Sequence, residues 1–211
     1  MKYSAIVTDI EGTTSRISFV TEVLFPYAAR ELPAFIHARQ HDPDVAAQLQ
    51  ACRQLMQQSD ASIEQISQQL LQWIAADEKV TPLKALQGMV WQHGYQTGAF
   101  TGHVYDDVVR QLQHWHSQGV KLYVYSSGSV QAQQLLFQYS DAGDLTPLFS
   151  GYFDTRIGAK RDISSYAAIL QQLQLPPKQV LFLSDVTAEL DAAAQLGIDT
   201  VQLIRERQPV G

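Results

Sequence analysis

The apolar and polar positions of this chain follow three successive patterns. Tyr3 to Thr8 is a short apolar run with β-branched members, which reads as a buried strand, and it stops at Asp9. From about Ser18 to Phe100 the spacing is helical instead. Val20, Val23, Leu24, Tyr27, Ala28, Leu32, Phe35 and Ile36 form one stripe, in which Pro26 and Pro33 predict a kink or break. Asp42-Pro43-Asp44 predicts a helix start ahead of Val45, Leu49, Cys52 and Met56, and a further stripe runs through Ile63, Ile66, Leu70 and Trp73. Thr81-Pro82 fits an N-cap with proline at the first helical position, before Leu83, Leu86, Val90 and Trp91. The interval contains no convincing strand.

Beyond a hinge-like stretch with Gly94, Gly98 and Gly102, strands and helices alternate. The predicted order is a helix over Asp106–Ser117, a strand over Val120–Tyr125, a helix from Val130, a weak strand over Phe149–Phe153 and a helix over Ile163–Leu173. A strong strand over Val180–Leu183, a helix closing at Gly197 and a last strand over Asp199–Leu203 complete it. Such alternation indicates βαβ units and a parallel sheet. The first strand needs partners that only the later ones supply. The expected fold is therefore α/β, a Rossmann-like doubly wound parallel sheet core of residues 1–17 and 103–211, with an all-helical cap domain of residues 18–102 inserted in it. Gln-rich patches such as Gln131 to Gln138 read as solvated helix faces.

Composition narrows the function. The 211 residues are 45% hydrophobic and 17% charged, an ordinary globular balance, and the formal net charge of −6 with scattered Lys and Arg leaves no basic footprint for nucleic acid. Cys52 is the only cysteine, which excludes an internal disulfide and fits a reducing compartment. No apolar run approaches membrane-spanning length and no secretory leader is visible, so a cytoplasmic protein without a membrane partner is expected. His37, His41, His93, His103, His114 and His116 show no metal-ligand spacing.

Candidate chemistry lies at the strand ends. The first strand delivers Asp9 and, two residues on, Glu11, which shares its side if the backbone stays extended. Two carboxylates at one spot need a cation, a shared proton or a shifted pKa, although Asp-x-Glu-Gly is equally compatible with a solvated turn. The second brings Ser126, Ser127 and Gly128, a strand-to-helix junction suited to an anion, and the third ends at Asp185. Lys160 follows Gly158 in a loop. Together these supply a carboxylate nucleophile, a second carboxylate, hydroxyl and N–H donors, a cation and a further carboxylate for metal, the parts of a phosphoryl-transfer site. Glu189 reads either as a holder of metal-bound water or as a first-turn acid favoured by the helix dipole.

In order and over the whole chain, Asp9-x-Glu11-Gly12-Thr13, Ser126, Lys160 and Asp185 resemble the four motifs of the haloacid dehalogenase-like phosphatases. That superfamily usually has Asp where this chain has Glu11. Asp9 to Thr14 leading into Ile17–Val20 and Leu24–Ala28, with Tyr125–Val130, Leu83–Gly88 and Trp91, resembles its enolase-phosphatase branch, which acts in methionine salvage. The resemblance implies that Asp9 is the nucleophile and carries an aspartyl-phosphate. Glu11 is then general acid and base, Lys160 is catalytic and binds phosphate, and Ser126 and Ser127 bind substrate. It further implies one Mg²⁺ held by Asp9, the Glu11 carbonyl and Asp185. The implied substrate is 2,3-diketo-5-methylthiopentyl-1-phosphate, enolised and then dephosphorylated to the acireductone by an enzyme expected to be a monomer. The enolisation base stays open: Glu11 is a candidate, with Lys84 or another insert residue able to assist. The insert itself is expected to close over the site and select the substrate. Competing readings are a generic Mg²⁺-dependent phosphatase without enolase activity and a receiver-like protein that binds Mg²⁺ without turnover.

Overall fold

The computed structural model describes residues 2–76, 78 and 80–205; the end of the expected core segment, 206–211, lies outside the described residues. Strands β1 (Ala5–Thr8), β2 (Lys121–Tyr125), β3 (Phe149–Phe153), β4 (Val180–Ser184) and β5 (Asp199–Gln202) form one sheet in the order β3-β2-β1-β4-β5, with every pair parallel. β1 and β4 are buried along their whole length, which is why their sequences are continuous apolar runs and do not alternate. In register, Thr8 lies opposite Val124 on one side and Leu183 on the other, so β1, β2 and β4 end level with one another. The winding direction reverses between β1 and β4, the place where open sheets of this kind present a crevice beyond their carboxyl ends.

The chain divides into two compact units, Met1–Phe19 with Thr101–Gly211, and Val20–Phe100. The first contains the sheet, the short α1 (Ile17–Phe19) and helices α6 (Asp106–Ser117), α7 (Val130–Gln138), α8 (Ile163–Leu173) and α9 (Thr187–Ala194). Ala5, Val7, Tyr125, Phe153, Tyr166, Ile169, Phe182 and Leu190 belong to its core. The second has its own core, built from α2 (Phe25–Arg39), α3 (Pro43–Met56), α4 (Ile63–Ala75) and α5 (Thr81–Gln96), after a π-helical turn over Val20–Leu24. Asp42 caps α3 by accepting the Asp44 N–H at 3.1 Å, with Pro43 at the first turn as expected.

Three details differ from the sequence reading. α2 runs through Pro33 without a break, since burial of Leu32, Phe35 and Ile36 on either side outweighs one lost hydrogen bond. Thr81 is the first residue of α5 and not its cap, which is Val80. Gly94 belongs to the last turns of α5 and not to a hinge: a Cβ there would stand 2.5 Å from Phe100 and 2.7 Å from Tyr27, so the glycine is a packing requirement.

Candidate active site

β1 ends at Thr8, and the chain turns at once. The Ile10 carbonyl accepts the N–H groups of Thr13, Thr14 and Ser15 at 3.1, 2.9 and 2.9 Å, and Gly12 adopts a φ of +73°. The backbone is therefore not extended through Glu11, and the period-two argument that put Glu11 beside Asp9 does not apply. Asp9 is buried, 4% exposed, whereas Glu11 is exposed. The Asp9 carboxylate accepts the Ile10 N–H at 2.7 Å through Oδ1, while the Asp9 N–H donates to the Leu183 carbonyl at 2.9 Å and continues the β1–β4 ladder.

Lys160 Nζ lies 2.7 Å from Asp9 Oδ2 and 2.7 Å from Glu189 Oε2, with only 7% of the lysine exposed. The Ser184 hydroxyl donates to Glu189 Oε2 at 2.9 Å and accepts the Val186 N–H at 3.1 Å. Three buried hydroxyls hold the backbone that carries the lysine. Tyr125 donates to the Gly158 carbonyl at 2.9 Å, Ser165 to that of Ala159 at 2.7 Å, and Tyr166 to that of Lys160 at 2.6 Å. Gly158, at φ +135°, permits this approach because a Cβ there would collide with the Ser165 side chain.

Burial, opposed by Lys160 and reinforced by the Glu189 charge, pushes the Asp9 carboxyl up to about 7. Burial pulls Lys160 down, but the two carboxylates outweigh it and hold its pKa above the ordinary value. Two acids and one ammonium leave this buried cluster one negative charge in excess when both acids are ionised, an imbalance that a divalent cation reverses.

Asp185 lies half-buried just past the end of β4. A Cβ on Gly12 would overlap its carboxylate, and Thr13 Oγ1 lies 3.5 Å from its Oδ1, so the turn after β1 folds directly against Asp185. Among the described residues no three His, Cys, Asp or Glu side chains gather as a complete metal cage. Mg²⁺ does not need one, because it binds through one or two carboxylates with carbonyl, water and phosphate oxygens filling an octahedron. Asp9 and Asp185 follow the ends of the paired strands β1 and β4 and offer carboxylate oxygens, the donor type that this ion prefers.

At the end of β2, Ser126 is buried and its Oγ accepts the Gly128 N–H at 3.2 Å. That N–H, expected to face an anion, is spent within the loop, whereas Ser127 is exposed. Ser129 caps α7 by accepting the Ala132 N–H at 3.2 Å. In the helical unit Lys84 is exposed, Gln87 is buried, and Trp91 Nε1 donates to the Leu24 carbonyl at 2.8 Å.

Sequence reasoning missed two things here. Neither reading of Glu189 included its ion pair with Lys160. Gln133, placed on a solvated face, is 2% exposed, with its Nε2 on the Gly128 and Phe153 carbonyls at 2.8 and 2.9 Å. Its position three and four residues before Leu136 and Phe137, on the same buried face of α7, was the available signal, but Gln131 and Gln134 beside it on the exposed face mask it.

Residues 3–197 match the family model of haloacid dehalogenase-like hydrolases. Full-length relatives are more specific. The enolase-phosphatase E1 of Pseudomonas syringae pv. syringae (strain B728a) is 57% identical over 98% of this chain and 91% of its own length, and that of Hahella chejuensis (strain KCTC 2396) is 58% identical over 95% and 86%. The chain belongs to the enolase-phosphatases of the haloacid dehalogenase-like hydrolase family. A solved structure of the UTR4 protein of Saccharomyces cerevisiae superposes on this enolase-phosphatase family member with a TM-score of 0.84 at 37% identity, covering 98% of this chain and 93% of that one. The L-2-haloacid dehalogenase of Xanthobacter autotrophicus, with a TM-score of 0.56 at 18% identity over 98% and 79%, shares the fold. Among the described residues no helix is long and apolar enough to cross a membrane.

Proposed function

We propose that this enzyme enolises 2,3-diketo-5-methylthiopentyl-1-phosphate and then removes its phosphate, giving the acireductone of methionine salvage, with Asp9 as nucleophile. The observation that carries the assignment is the buried Asp9–Lys160–Glu189 cluster beside Asp185 at the sheet's switch point. In the dephosphorylation an Asp9 oxygen bonds to phosphorus as the ester oxygen leaves, and Glu11 gives that oxygen its proton. Glu11 then takes a proton from water, the resulting hydroxide attacks the aspartyl-phosphate, and inorganic phosphate departs with the Asp9 carboxylate restored. Lys160 keeps Asp9 oriented and offsets the phosphoryl charge, and the Ser126 hydroxyl and Ser127 N–H receive phosphoryl oxygens.

Asp9, Asp185 and the Glu11 carbonyl would hold one Mg²⁺, which when bound neutralises phosphoryl charge and acts as an electrophile for an enolate oxygen. We assign the chemistry to the sheet-containing unit. Because the helical insert falls in the chain between the first two site segments, we assign substrate selection to it. The proposal includes a monomeric cytoplasmic enzyme. The deciding experiment supplies the diketo phosphate with and without Mg²⁺ while following enol absorbance and free phosphate together. Enol formation before phosphate release is expected. Phosphate release with no enol at any stage would leave only a generic phosphatase.

A further inference from the structure

Gln133 lies on α7 with 2% of its surface exposed. Its Nε2 donates to the carbonyls of Gly128 at 2.8 Å and Phe153 at 2.9 Å, and lies 3.5 Å from that of Ser126. Its Oε1 is buried with no hydrogen-bond partner. The side chain thus bears the desolvation cost of an orphaned acceptor while its two protons are spent on backbone carbonyls. The carbonyls come from the two ends of the Ser126–Gly128 loop and from the end of the neighbouring strand β3. Phe153 O also accepts the Ser126 N–H at 3.2 Å, so loop, helix and strand are fastened at one point.

The consequence follows from peptide geometry. In a planar trans peptide the C=O and N–H point in opposite directions. The carbonyls of Ser126 and Gly128 share their peptide planes with the N–H groups of Ser127 and Ser129. Gln133 holds the Gly128 carbonyl by a hydrogen bond of 2.8 Å and stands 3.5 Å from that of Ser126, which turns the Ser129 N–H and, less tightly, the Ser127 N–H away from α7, out of the loop. We propose that Gln133 is a positioning residue for phosphate: it fixes the loop after β2 so that the Ser127 and Ser129 N–H groups are presented to the phosphoryl oxygens before substrate arrives. This rests on the reading of that loop as the phosphate subsite. Gln133 itself contacts no reacting atom.

The test uses the Mg²⁺-loaded full chain with inorganic phosphate as competitive inhibitor. Gln133→Met keeps the shape without the donors. It is expected to raise the substrate KM and the phosphate inhibition constant together, on the order of tenfold for the lost bonds. The kcat changes by less than about threefold, and the Mg²⁺ activation constant stays as in the parent, since no metal donor has moved. Gln133→Glu regains a donor only when protonated, so its phosphate inhibition, taken relative to the parent, strengthens as pH falls. Because either variant can fail to fold, the amide resonances of Ser127 and Ser129 in the parent are followed as phosphate is added, and both are expected to shift.

Folded variants inhibited by phosphate as strongly as the parent would reduce Gln133 to core filler and overturn the proposal. Unmoved Ser127 and Ser129 amides in a parent that phosphate does inhibit overturn it as well. A parent that phosphate does not inhibit overturns the subsite reading beneath it, which distinguishes the two failures.

Discussion

Lys160 Nζ and Asp9 Oδ2 are 2.7 Å apart, and both residues are more than nine-tenths buried. This contact joins the loop after β3 to the end of β1. Removing the lysine leaves Asp9 and Glu189 facing each other without a cation. Lys160→Met is expected to lose about 3–5 kcal/mol of stability, as for other broken buried pairs, and to lower kcat by at least about a hundredfold. Thermal unfolding and phosphate release on the same preparation measure the two effects. Asp9→Asn, close to isosteric, is expected to fold and to release phosphate at least about a thousandfold more slowly, as expected for loss of a nucleophile. Unchanged phosphate release on that variant would remove the nucleophile assignment.

Mg²⁺ at saturating concentration is expected to stabilise the metal-free protein. At a hundred times its dissociation constant the gain is about 2.7 kcal/mol, or roughly 5–11 °C in thermal midpoint for a protein of this size. Asp185→Asn should lose most of this shift, while Asp141→Asn, whose carboxylate accepts the Val104 N–H, should retain it. A shift that survives in Asp185→Asn would place the ion elsewhere.

The hydroxyls that hold residues 158–160 can be deleted singly. Tyr166→Phe removes the donor to the Lys160 carbonyl and leaves that acceptor buried. A cost of about 1–3 kcal/mol is expected, with kcat reduced by less than the Lys160→Met change. Gly158→Ala, which meets both the φ of +135° and the Ser165 side chain, is expected to be worse than Gly98→Ala, which meets open space at φ +70°. Denaturant midpoints compare the two.

Acid unfolding has a separate sensor. Lys2 lies 2.6 Å and Lys178 3.1 Å from the Asp199 carboxylate, which also accepts the Tyr3 hydroxyl at 3.0 Å. Hydrogen bonds from Lys2, Lys178 and Tyr3 lower its pKa to about 2. A depressed folded-state pKa means that the stabilisation is present above the ordinary carboxylate range and is lost as pH falls toward 2. Asp199→Asn is therefore expected to flatten the fall in thermal midpoint between about pH 4 and pH 2. High salt should shrink the difference, because the lysines are exposed.

Much of this arrangement was legible in the sequence, because a parallel sheet buried on both faces leaves apolar runs that stop abruptly. Asp9, Ser126 and Asp185 could each be placed by where such a run ended. The conformation of Glu11 was not legible, because the turn from Ile10 to Ser15 begins two residues after the end of β1 and breaks the alternation. Gln133 and Glu189 escaped for another reason. Their roles depend on partners twenty or more residues away, the Phe153 carbonyl and the Lys160 ammonium, and helical spacing does not report those. Gly94 shows the same limit: a glycine before a loop looks like a hinge until Tyr27 and Phe100 are packed against it.

Tyr125 comes from β2, and Ser165 and Tyr166 come from the first turn of α8, yet all three bind successive carbonyls of one short loop. The backbone that carries Lys160 is thus held by the sheet and the following helix, with Gly158 supplying the conformation that lets them approach. Drift in the exposed neighbours Arg161 and Asp162 leaves the direction of the Lys160 charge unaltered, whereas a conservative change in the first turn of α8, far along the chain from Asp9, can swing it away from that carboxylate.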